Sequence, residues 1–115
     1  MIRYPAKISN IARYGLVIFM PGLEDLEEYG ALRLLLLLSE RQRYVTEILR
    51  RQTNPEGLMS QDSLRDCRWK LGNAGLGLIQ EHMEPGPRPK TFLVITEKGR
   101  KVAQKIREIQ KILEE

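Results

Sequence analysis

One cysteine, one histidine, one tryptophan and two phenylalanines among 115 residues leave this chain little of what many active sites are made from. Cys67 alone cannot close a disulfide within the chain, and with His82 it makes no metal cluster, so no metal or cofactor is expected. Paired carboxylates in a pocket-like setting, a nucleotide-binding glycine loop and a Cys/His constellation are all missing. Nothing then supplies a general base or nucleophile in a recognisable context, which argues against an enzyme. Long apolar runs are missing too. The five leucines at 34–38 are flanked by Arg33 and Glu40, and the run 16–20 is shorter than a signal-peptide core. No membrane span is expected, and a cytoplasmic location follows as the default.

What is present suits one folded domain. Apolar residues make up 42% and charged residues 30%, an ordinary balance for a chain able to bury roughly two-thirds of its unfolded surface. The net charge of +4 permits a polyanionic partner, and its distribution says more. Residues 24–40 are acidic (Glu24, Asp25, Glu27, Glu28 and Glu40 against Arg33). Residues 41–90 hold nine basic and six acidic side chains, and residues 1–23 hold Arg3, Lys7 and Arg13 with no acid. Against the acidic 24–40, the basic balance therefore sits on the second half of the chain and on the N-terminal arm.

Residues 1–22 read as an arm: a short helix, then an extended piece closed by Pro21-Gly22, packed on the domain or on a second subunit. A helix is expected over 23–38, with carboxylates crowding its first turn where they favour the positive end of the dipole. Its leucines are too dense for a single stripe, so it should be nearly surrounded. A short helix over 43–52 follows, with Tyr44, Val45, Ile48 and Leu49 on one face. Arg41, Arg43, Arg50 and Arg51 read mainly as solvated, with one or two against phosphate. The stretch 53–59 contains Asn54-Pro55-Glu56-Gly57, strong turn chemistry. Ser60 then caps a helix over 60–74, with Leu64, Cys67, Leu71 and Ala74 forming a buried stripe and Asp62, Arg65, Asp66, Trp69 and Asn73 opposite. A β-prone run at 78–83, a Pro/Gly/basic tip at 85–90 and a second run at 91–96 read as a hairpin. A final helix begins at Thr96/Glu97, and Val102, Ile106, Ile109 and Leu113 form a short heptad-like seam on it.

That order (helix, turn, helix, basic hairpin, helix) is the order of a winged helix-turn-helix. The expected fold class is α+β and mainly helical, with a two-stranded wing and a C-terminal helix. Residues 23–96 would form the domain and 97–115 a helix for packing or dimerisation. The run 57–65, Gly-Leu-Met-Ser-Gln-Asp-Ser-Leu-Arg, looks like the turn and start of a recognition helix. Ala74-Gly75-Leu76-Gly77-Leu78-Ile79 is similar to the lead into a wing, and Thr96-Glu97-Lys98-Gly99-Arg100 to the entry of the last helix. On these residues, residues 34–103 resemble the winged helix-turn-helix domains of prokaryotic transcriptional regulators, broadly the MarR, ArsR and PadR groupings, with an archaeal character. The turn at 53–59 is several residues longer than usual in this motif.

The resemblance implies a homodimeric regulator that binds double-stranded DNA at an inverted repeat. The helix 60–74 would lie in the major groove and the wing 85–90 on the flanking backbone. The implied DNA contacts are Ser60, Gln61, Ser63, Arg65 and Arg68 on the helix and Arg88 and Lys90 on the wing. Gln pairs with adenine, Arg with guanine, and either Arg or Lys with phosphate. Val102, Ile106, Ile109 and Leu113 are the dimerisation candidates, together with the arm. No small-molecule effector is identifiable. Trp69, central on the polar face, is expected to be covered by the arm, and Cys67 to be an inert core residue. The alternative is a winged helix used for protein–protein contact within a larger transcription or replication assembly, which Asp62, Asp66, Trp69 and the long turn would favour.

Overall fold

A computed structural model describes residues 20–27 and 30–115. Expectations for the arm before residue 20 fall outside the described residues. Eight elements follow in order: α1 (Leu23–Leu26), α2 (Ala31–Glu40), β1 (Arg43–Tyr44), α3 (Val45–Ile48), α4 (Gln61–Leu71), β2 (Ile79–Glu84), β3 (Lys90–Ile95) and α5 (Glu97–Leu113). The strands form an antiparallel sheet in the order β1-β3-β2. This is a winged helix: α2, α3 and α4 are its three helices, and β2–β3 is its wing.

The first expected helix is split in two. Gly30 takes φ +82°, a left-handed conformation that interrupts a right-handed helix, and its carbonyl accepts the first α2 bond from Leu34 N at 2.8 Å. Beyond it, α2 buries Ala31, Leu34, Leu35 and Leu38, with Leu36 and Leu37 partly covered. Each fully buried leucine contributes about 1.5–3 kcal/mol. The expectation of a nearly surrounded helix holds for most of its leucines but not for Leu23 and Leu32, which are exposed.

The expected helix at 43–52 shrinks to the single turn α3. Arg43 and Tyr44 pair instead with Leu93 and Phe92. At the other end Leu49 is extended, bridged in parallel to Met59, and Arg50 N donates to Met59 O at 2.8 Å. The loop between α3 and α4 is therefore hydrogen-bonded, not slack. Asn54 Nδ2 donates to the carbonyls of Thr46, Glu47 and Leu49 at 3.3, 3.1 and 3.0 Å, filling acceptors that the short helix leaves open.

In α4 the expected stripe appears as buried Leu64, Cys67 and Leu71. Ala74 does not belong to it: the helix ends at Leu71 and Ala74 is exposed. The glycine-rich stretch turns the chain back, with Leu76 N and Leu78 N donating to the carbonyls of Lys70 and Leu71. Thr96 joins the wing to α5. Its N–H donates to Leu78 O at 2.9 Å, its hydroxyl donates to Gly77 O at 2.8 Å, and the same oxygen accepts from Gly99 N at 3.0 Å. Among the described residues no helix is long and apolar enough to cross a membrane.

Candidate nucleic-acid interface

The α4 N-terminus is built as expected. Ser60 Oγ accepts from Ser63 N at 3.3 Å and lies 3.2 Å from Ser63 Oγ, so both hydroxyls take part in the cap. Gln61 is exposed. Arg65 meets Asp62 at 3.4 Å across one helical turn, with both side chains more than 70% exposed. A pair that open to water is weak, so Arg65 can exchange Asp62 for another anion.

Arg68 is placed differently from the expectation. It grips Glu81 on β2 through two hydrogen bonds, 2.6 Å from Nε and 3.0 Å from Nη2. The bond to Arg68 holds the Glu81 carboxyl below its ordinary range, and the bond to Glu81 raises Arg68. Its charge is thus matched within the chain, and its geometric effect is to brace the wing against α4. Glu81 escaped the sequence reading because the partners are distant in sequence and belong to different elements.

The wing stands away from the body. In β2 only Ile79 is buried and the five residues after it are exposed; in β3 the buried positions are Leu93 and Ile95. At its outer end Glu84 pairs in register with Lys90. Lys90 is the first residue of β3, not part of the turn, and its ammonium lies 5.5 Å from the centre of the Tyr44 ring. Tyr44 OH donates to the Glu84 carboxylate, which raises the phenol pKa. Tyr44 also meets Phe92 edge-on at 6.0 Å, and Phe92 stacks on His82 at 5.5 Å. This row crosses all three strands and stiffens the wing, giving His82 a packing role. Beyond it, Arg88 occupies the exposed tip.

Trp69 is 69% exposed, contrary to the expected burial. Cys67 is buried, as expected. Arg41 pairs with Glu47 at 3.0 Å and Arg43 with Glu40 at 2.9 Å, whereas Arg50 and Arg51 are exposed on the α3–α4 loop. The α5 seam divides. Val102 and Ile106 pack against the core, while Ile109 and Leu113 are 57% and 73% exposed. The exposed pair borders an apolar recess of about 340 Å³ shared with Leu23, Leu26 and Leu32.

The geometry defines a winged-helix domain with α4 and the wing tied together and open to solvent. No family model and no curated protein matches the chain. Among solved structures it is similar to the circadian clock-associated protein Pex from Anabaena. The two share 13% identity with a TM-score of 0.56, over 96% of this chain and 95% of that one. The likeness is one of fold.

Proposed function

We propose that this protein is a DNA-binding transcriptional regulator of the winged-helix kind, as the resemblance to the MarR, ArsR and PadR groupings implies. One observation carries the reading: a hairpin whose outer half buries almost nothing in its own chain is braced by Arg68–Glu81 against the exposed face of α4. The outward-facing side chains of that hairpin stay clear of the core, open to a partner that grips both elements at once. In duplex DNA that partner offers base edges to Gln61 and Arg65 and phosphates to Arg88. Ser60 and Ser63 lie at the same helix end. Lys90, one residue past the turn, adds positive charge behind Arg88. Arg68 acts through Glu81, not on DNA directly.

The regulator would act as a homodimer through Ile109 and Leu113, with Val102 and Ile106 fixing α5 to each domain. A two-fold dimer would read half-sites about one helical turn apart. A second reading, docking on another protein, is favoured by Asp62, Asp66 and Trp69, all exposed on α4. Binding to random-sequence duplex DNA across a salt series separates the two. Phosphate contacts give an affinity that falls steeply with salt, and Arg88→Ala should reduce the slope by about one. No binding at low salt would remove the DNA reading.

A further inference from the structure

Between α4 and the wing lies a cleft of about 470 Å³, lined by Arg65, Arg68, Trp69, Gly72, Asn73 and Glu81. Its chemistry is specific. Glu81 is matched by Arg68, whereas Arg65 is held only by its exposed pair with Asp62, which does not line the cleft. Gly72 lines it with backbone alone. One wall is Trp69, exposed although tryptophan normally buries most of its surface. The cleft thus pairs a broad apolar plate with an exchangeable cation, a combination suited to a strand that alternates sugar and phosphate.

The position along the helix agrees. Trp69 follows Ser63 by six residues, ~9 Å of helix rise. With the first turns of α4 inside a major groove roughly 12 Å wide, Trp69 reaches the wall of the groove, where the backbone runs. We propose that this cleft seats one DNA backbone strand. The Trp69 indole packs on a deoxyribose edge, and Arg65 leaves Asp62 for the neighbouring phosphate. The inference rests on the DNA reading above and adds to it a named subsite.

Trp69 is the one tryptophan in the chain, so its emission reports this cleft alone. Titration with random-sequence duplex DNA, followed by the anisotropy of labelled DNA, should shift Trp69 emission to the blue and shield it from acrylamide. Trp69→Ala should weaken binding roughly tenfold through lost apolar contact. Its salt slope should stay unchanged, because the indole displaces no counterion. Trp69→Phe should retain binding within about threefold. The side chain is exposed, so both variants should melt with the wild type. Anisotropy that reports binding while Trp69 emission stays unchanged overturns the subsite and leaves the DNA reading standing. Loss of salt slope in Trp69→Ala also overturns it, by assigning the effect to displaced phosphate contacts. A blue shift that grows with protein concentration in the absence of DNA assigns the surface to protein contact. Absence of any binding at low salt refutes the DNA reading itself.

Discussion

Replacing Gly99 by alanine sets two physical effects against each other. Gly99 lies in the first turn of α5, where alanine is the better helix former by about 0.8–1 kcal/mol, so propensity alone expects stabilisation. The packing says otherwise. A Cβ at residue 99 would stand 2.2 Å from the Leu78 carbonyl oxygen and 2.6 Å from Ile95 Cγ1. That carbonyl already accepts the Thr96 N–H at 2.9 Å, so moving it strains the joint between wing and α5. Overpacking costs about 1–3 kcal/mol and a weakened hydrogen bond about 1 kcal/mol. After the propensity gain, the net is a loss of about 2 kcal/mol. For a domain of this size that lowers Tm by about 8 °C. Thermal unfolding followed by circular dichroism measures it, with exposed Gln104→Ala as a control expected to change by less than about 0.5 kcal/mol. A Gly99→Ala protein as stable as the wild type, or more so, would refute the close approach of α5 to the wing.

Three further outcomes are expected. Asn54→Ala should cost about 1–2 kcal/mol in urea unfolding, because the carbonyls of Thr46, Glu47 and Leu49 lose their shared donor; a neutral result would remove the loop-anchoring role. Glu81 should titrate below the ordinary glutamate range by carboxyl NMR and return toward it in Arg68→Ala. Since its folded pKa is the lower one, the pair's stabilisation is present above the unfolded glutamate pKa, about 4.3, and is lost as pH falls through the folded value. Ile109→Ser combined with Leu113→Ser should convert a dimer to monomer in sedimentation while leaving Tm within a few degrees, since both side chains are exposed in the protomer; an unchanged sedimentation coefficient would locate self-association elsewhere.

What could be read in the sequence follows from how local each signal is. The Ser60 cap, the first three positions of the expected stripe (Leu64, Cys67 and Leu71, without Ala74), the proline-rich wing tip and the start of the last helix at Thr96/Glu97 depend on neighbours within a few residues, and each is found in place. The most specific motif, Thr96 to Arg100, proves to be a structural joint: Thr96 and Gly99 bind the wing base. Arg43–Tyr44 misled because their strand partners, Phe92 and Leu93, are distant in sequence, and apolar periodicity around them imitates a helix. Leu49 followed the same false periodicity, while its partner Met59 lies across the loop. The break at Gly30 did leave a signal, a glycine between Tyr29 and Ala31, which the density of leucines outweighed. Arg68 read as a DNA cation because its carboxylate partner belongs to another element, and Asn54 read as a turn former while its side chain also closes α3. Trp69 was expected to be covered on frequency alone, a weak guide for a residue beside an open cleft.

The central claim is that α4 and the wing bind DNA together. The most direct test is the change in backbone amide resonances of the isotope-labelled protein as random-sequence duplex DNA is added at low salt. The account expects the changes to concentrate at residues 60–69 and at the wing amides of Glu84, Gly86, Arg88 and Lys90, with the α1 and α5 amides largely unmoved. Changes confined to α1 and α5, or none at all, would contradict it.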